Sequence, residues 1–186
     1  MPETVDDRIA HRLASLRSER SRTLNTLARK TGISRATLSR LEHGDISPSA
    51  SMLNKLCAHY GCTASRLMAD AEAAPPTLIR AAEQVIWKDP ETHYIRRVVS
   101  PPHPNLLGEL VEVSLPAGAL VSYDVSPLPG LEHHLWMLEG EMALDLGDAH
   151  FYLKKGDCLR YVLSGPSRFT CGEHPARYII AMVRPK

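Results

Sequence analysis

Between Thr23 and Gly44 the chain reads TLNTLARKTGISRATLSRLEHG, and two arginines and a serine stand there at spacings that suit nucleic-acid chemistry. Arg35, Ser39 and Arg40 fall on the side of a predicted helix left to solvent by Leu38 and Leu41. Arginine presents a planar fork of N–H donors that fits guanine O6 and N7, while hydroxyls and helix N-termini suit phosphate oxygens. A good arginine–guanine pair discriminates against the wrong base by about 1 to 3 kcal/mol. Two isolated arginines would equally suit a solvated helix face, so the surrounding elements decide the reading.

Those elements form a helix-turn-helix. Leu24, Leu27 and Ala28 line one face of a short helix, Gly32 supplies the backbone freedom of a tight turn, and Ile33 fills the angle between two helices. Ser34 is placed to cap the second helix by accepting a hydrogen bond from a first-turn amide. Val5, Ile9, Leu13 and Leu16 mark an amphipathic helix ahead of the motif. Behind it, a helix from about Ser49 to Tyr60 is expected to bury Met52, Leu53 and Leu56; Gly61 ends it, and Thr63 caps a last short helix carrying Leu67. Residues 1–70 therefore read as a five-helix domain.

AEAAPP, from Ala71 to Pro76, breaks the helical pattern and has little to bury, so residues 71–84 read as a linker, with a brief helix possible in 77–84. From 85 to 186 the texture changes to short β-prone runs, Tyr94 to Val99, Glu109 to Leu115, Leu135 to Leu146 and Tyr178 to Val183, separated by PP, PAG, PLPG, LGD and KKGD. That pattern predicts a β-sandwich or barrel. Charge divides at the same place: +4 over residues 1–70 and −3 over 71–186, which suits a nucleic-acid-binding head on a body of another function.

Cys57, Cys62, Cys158 and Cys171 show no CxxC spacing and are expected to be reduced thiols, Cys57 and Cys62 as small apolar fillers. The opening MPETVDDRIAHRL lacks the apolar run of a signal peptide, and no stretch is long and apolar enough to span a membrane. A soluble cytoplasmic protein is expected.

Arg12 to Leu67 resembles the xenobiotic-response-element (XRE) type of helix-turn-helix, the group that includes the lambdoid phage repressors. The matching elements are LxxLR at Leu13 to Arg17, LARKTGIS at Leu27 to Ser34, LSRLEHG at Leu38 to Gly44, and Pro48-Ser49 opening the fourth helix. The resemblance implies that Arg35, Ala36, Ser39 and Arg40 lie over base edges, and that Thr23, Ser34 and Thr37 approach phosphates. It also implies a structural ion pair between Arg17 and Glu42.

Gly130 to Cys171 resembles the cupin family, most closely the small barrels fused to such heads in bacterial regulators. The match rests on LWMLEGEMALDLGDAHFYLKKGDCLRY, with Leu138 to Glu141 as one turn and Lys155 to Asp157 as the other. Metal-binding cupins use two histidines and a glutamate from the first motif and a histidine from the second. Here His133 stands where the glutamate is usual, Ser126 to Pro129 replace the histidines, and Ser167 follows Pro166 where the last histidine is expected. One imidazole does not define a transition-metal site, which asks for three or four protein ligands, so no metal and no cofactor are expected. Strand alternation puts Leu135 and Met137 on the inward face with His133 and turns His134 outward; Tyr161 and Ser167 complete a mixed pocket for a small molecule.

The fold class read from the sequence is α+β in two domains: a five-helix lambda-repressor-like head, then an all-β cupin (double-stranded β-helix) barrel. The expected function is a sequence-specific transcriptional regulator, not an enzyme. Its partners would be a double-stranded DNA operator, a small-molecule effector and a second copy of the chain, with no membrane. Two other readings stand beside it: a metal-dependent cupin enzyme with the head as an accessory domain, and a regulator whose barrel only dimerises.

Overall fold

The computed structural model describes residues 4–69 and 75–185. Most of AEAAPP, Ala71 to Ala74, lies outside the described residues. Among the described residues five α-helices precede ten β-strands, and no helix is long and apolar enough to cross a membrane.

Each helix begins at a residue whose side chain satisfies an amide that the helix itself cannot, with one exception. Thr4 caps α1 (Val5–Glu19) in a reciprocal box with Asp7, Thr23 caps α2 (Leu24–Thr31), Ser34 caps α3 (Arg35–Glu42) and Thr63 caps α5 (Ala64–Met68). Gly32 closes α2 at φ 71°, a left-handed conformation that costs glycine nothing. The exception is α4 (Ala50–Tyr60), whose N-cap Ser49 makes no side-chain capping hydrogen bond. Asp89, from the other domain, takes its place: Oδ1 accepts the Ala50 N–H at 2.8 Å.

Residues 77–84 contain only a short 3-10 turn, Ala81–Glu83. The strands that follow are β1 (Val85–Lys88), β2 (Ile95–Ser100), β3 (Gly108–Leu115), β4 (Leu120–Tyr123), β5 (Leu131–Glu139), β6 (Glu141–Leu146), β7 (Ala149–Lys154), β8 (Cys158–Leu163), β9 (Ser167–Cys171) and β10 (Ala176–Val183). They form two antiparallel sheets, β1-β2-β3-β10-β5-β8 and β4-β9-β6-β7, facing each other as a double-stranded β-helix. The core between them includes Phe169 of the smaller sheet stacked on Tyr178 of the larger at 6.0 Å.

The β-prone run Leu135 to Leu146 is divided at the turn expected over Leu138 to Glu141, with β5 ending at Glu139 and β6 starting at Glu141. Gly140, at φ 71°, turns the chain from the large sheet into the small one, and a Cβ there would collide with the Pro175 carbonyl. A bend this tight between sheets admits no side chain.

The linker divides the sequence but not the core. One apolar cluster runs from Ile9 and Leu27 through Leu53 and Cys57 to Tyr94, Val113 and Ile180. The helix α4 makes this possible because it is apolar on more than one side. Leu56 and Tyr60 are buried in the head, while Ala50, Leu53 and Cys57 also reach the barrel; Met52, expected in the core, is only half-buried.

Candidate nucleic-acid interface and barrel cavity

The exposed face of the helix-turn-helix carries the residues expected there. Arg35, Ala36 and Arg40 are exposed on α3, with Thr37 and Ser39 half-buried beside them. Neither arginine side chain makes a hydrogen bond or ion pair among the described residues, so both guanidinium groups are available to an incoming partner. Thr23 and Ser34 are exposed caps: each hydroxyl accepts an amide, from Thr26 at 3.2 Å and from Thr37 at 3.1 Å. Ser34 and Thr37 also share a hydroxyl–hydroxyl bond at 2.8 Å. These hydroxyls are thus committed first to holding the helix starts in shape.

The frame behind this face is rigid. Arg17 grips Glu42 with two parallel bonds, Nε to Oε1 and Nη2 to Oε2, each 2.7 Å, and its Nη1 donates to the Arg22 carbonyl at 3.1 Å. The Glu42 side chain is 7% exposed. The bidentate pair ties the end of α1 to the end of α3 and sets the angle at which α3 is presented.

On the opposite side of the head, α4 and α5 close the mouth of the barrel. Besides Asp89 on Ala50, Asn54 donates to the Val125 carbonyl at 2.9 Å, Lys55 meets Asp124 at 3.4 Å, and Thr63 donates to the buried Glu109 carboxylate at about 3 Å. Burial pushes the Glu109 carboxyl above its ordinary range, with the Thr63 hydroxyl working against that. Beneath this lid lies a cavity of about 80 Å³. That is room for several waters or one compact organic molecule.

His133, Tyr161 and Ser167 line the cavity as expected. His133 and Tyr161 are direct partners across β5 and β8, and Nδ1 and the phenol oxygen lie 3.0 Å apart. His133 is 7% exposed, and its other ring nitrogen, Nε2, has no partner. Burial, then the nearby charge of Arg96, lowers its pKa to about 4, so the ring is neutral at pH 7. Burial also pushes the Tyr161 phenol up. His134 alternates to the outer face, where it meets Glu132.

Leu135 and Met137 do not line the cavity. They share the inward face of β5 but sit farther from the mouth, packed with no exposure against the register partners Ile180 and Tyr178. Parity along a strand fixes the face of a side chain and leaves its depth in the barrel open.

Sequence reasoning missed Arg96, Tyr94 and Tyr178, and the α4 residues Ala50, Leu53, Asn54 and Cys57, all of which line the cavity. The signal for Arg96 is its parity: it stands two residues from buried Val98 within β2 and two from buried Tyr94 just before it. The signal for α4 is the spacing 50, 53, 54, 57, a second helical face directed away from the head. Cys57 is buried there, and its thiol is pushed up by a hydrogen bond with Cys62 and by burial, which makes it inert packing.

The residues at the usual cupin metal position do not fit a transition metal. They offer one imidazole, already bonded through Nδ1 to a phenol, and hydroxyls. Among the described residues no group of three or more His, Cys, Asp or Glu is placed to hold an ion.

Residues 8–69 match the family described as a helix-turn-helix domain. The chain is 24% identical over 149 residues to the HTH-type transcriptional regulator SutR of Escherichia coli (strain K12), covering 80% of this chain and 79% of that protein. A crystal structure of an HTH_3 family transcriptional regulator from Vibrio cholerae superposes with a TM-score of 0.80 at 22% identity, over 97% of both chains. The iron(II) form of HppE superposes with a TM-score of 0.50 at 16% identity, over 96% of this chain and 100% of that one. These likenesses establish the two-part fold.

Proposed function

We propose that this chain, a helix-turn-helix domain seated on a cupin-type barrel, is a sequence-specific, DNA-binding transcriptional regulator whose barrel cavity takes a small-molecule effector without a metal. One observation carries the reading: α4 belongs to the DNA-binding head and at the same time roofs the cavity, through Ala50, Leu53, Asn54 and Cys57. A molecule that fits the cavity touches the head directly, so occupancy and head position share one free energy.

The regulator works in the cytoplasm as a homodimer. Two heads then reach half-sites about 34 Å apart, one helical turn of the duplex. Supporting this, Trp136 is 51% exposed on the outer face of the large sheet, beside Ile179 and Cys158, where a second copy would cover it. Arg35, Ala36, Ser39 and Arg40 read base edges, and Thr23, Ser34 and Thr37 approach the phosphates. No catalysis is assigned to the cavity: among the described residues its lining contains no carboxylate, and its one histidine has a pKa lowered to about 4, which makes it a weak base.

Selection from a pool of random duplexes, followed by footprinting, tests the reading. The expected product is a pseudo-palindromic site with two protected half-sites. Recovery of no preferred sequence at moderate salt would overturn it.

A further inference from the structure

We infer that the effector is a small organic monoacid, one carboxylate on a compact apolar body, with the carboxylate held by Arg96 and a polar atom of the ligand met by His133 Nε2. The inference deepens the effector reading above and rests on it.

Among the described residues Arg96 is the only formally charged side chain lining the cavity. It forms no ion pair among the described residues, its buried Nε has no partner, and its Nη2 has only long contacts, 3.3 Å to Ser65 Oγ and 3.9 Å to Met182 Sδ. The neighbouring carboxylate, Glu109, is occupied by Thr63 and does not line the cavity. Arg96 is half-buried, and although the Glu109 charge is felt nearby the two form no ion pair; a guanidinium whose buried Nε–H has no acceptor is a favourable seat for an anion. The planar fork of arginine matches a carboxylate in two parallel bonds.

The rest of the lining limits what else the ligand carries. His133 is more than nine-tenths buried, neutral, and leaves Nε2 unsatisfied, which calls for one hydrogen-bonding atom and no second charge. The Tyr94 and Tyr123 hydroxyls bond each other at 3.1 Å and ask little of a ligand. Leu53, Val113, Leu131 and Ile180 supply apolar wall. Among the described residues the lining holds no carboxylate to pair with an ammonium and already carries the Arg96 charge, which disfavours amines and polyamines, and a dianion would leave one charge unpaired.

The test uses the full-length protein and three matched probe sets sized to the cavity: acetate, propionate and isobutyrate, their primary amides, and their primary amines. Binding is read by thermal shift and calorimetry. At least one acid is expected to raise Tm by several degrees, with its amide and amine silent at the same concentration. Arg96→Gln should weaken that acid about ten- to a hundredfold, as for the loss of a charge-assisted hydrogen bond, and Arg96→Lys should retain part of it. Amides or amines binding as well as acids would overturn the inference, as would an undiminished affinity in a folded Arg96→Gln. If none of the acids binds, the inference also fails. The acid-against-amide comparison on the unaltered chain stands even if Arg96→Gln does not fold. An amide or amine that binds and changes DNA affinity would sink the acid class while leaving the effector reading intact.

Discussion

Asp89, in the barrel, caps a helix of the DNA-binding head: its Oδ1 accepts the Ala50 N–H at 2.8 Å, while its Oδ2 accepts Thr92 N–H at 2.7 Å. The carboxylate is fully buried and links the two halves at the first residue of α4. A negative charge at a helix N-terminus is favourable both as a hydrogen-bond acceptor and against the helix dipole.

Asp89→Ala is expected to destabilise the protein by about 2 kcal/mol, at the upper end for loss of a cap, and to speed amide exchange over Ala50 to Leu53. Ser49→Ala should stay within about 0.5 kcal/mol, because Ser49 makes no cap bond. Denaturant titration and hydrogen exchange check both. Equal effects from the two substitutions would mean that Asp89 does not cap α4.

Arg35→Ala and Arg40→Ala should each weaken operator binding by about 1 to 3 kcal/mol, with a smaller loss on scrambled duplex and Tm unchanged. Fluorescence anisotropy on both duplexes reads the difference. Arg17→Ala should do the reverse, lowering Tm while leaving the ratio of specific to scrambled affinity alone. It strands the nearly buried Glu42 carboxylate, a cost of about 3 kcal/mol if the head cannot relax.

His133 gives the cavity a pH signature. Its folded pKa of about 4 lies below the unfolded value of about 6.5, so the unfolded chain takes up the proton first as pH falls. The stability that His133 contributes is complete above pH 6.5 and is lost between about 6.5 and 4, amounting to about 3 kcal/mol in total. The difference in unfolding free energy between the parent chain and His133→Gln should therefore shrink across that window. A difference that is flat from pH 7 to pH 4 would contradict a neutral, buried ring.

Gly140→Ala should cost more than Gly147→Ala. Both glycines have positive φ, 71° and 59°, but only at Gly140 does a Cβ meet backbone, the Pro175 carbonyl; at Gly147 it meets open space. Gly147→Ala is expected to cost about 1 kcal/mol, and Gly140→Ala more than 3 kcal/mol or a failure to fold. Comparable Tm values for the two would refute the corner role of Gly140.

Local spacing carried the head and distance along the chain hid the cavity. Gly32, Ser34, Leu38 and Leu41 act within a turn or two of their own backbone, so their roles could be read from the sequence alone. His133, Tyr161 and Ser167 could be placed because strand parity names a face. Leu135 and Met137 were misplaced because parity says nothing of depth. Arg96 and α4 escaped notice for a related reason: which inward residues meet depends on how β2, β5 and α4 pack, and those elements are far apart in sequence. Even so, an arginine between two inward aliphatic or aromatic positions is a mark worth reading. A linker in the sequence does not by itself separate two cores when a helix such as α4 is apolar on two faces.

The account turns on α4 as the shared wall between cavity and DNA-binding head. Its most direct test is operator affinity by anisotropy, measured with and without a saturating amount of whichever probe acid raises Tm most, with hydrogen exchange of Ala50 to Tyr60 followed in the same samples. The predicted result is a change in operator Kd of at least about fivefold, accompanied by altered protection of α4. A ligand that binds and raises Tm, yet leaves both operator Kd and α4 exchange unchanged, would contradict it.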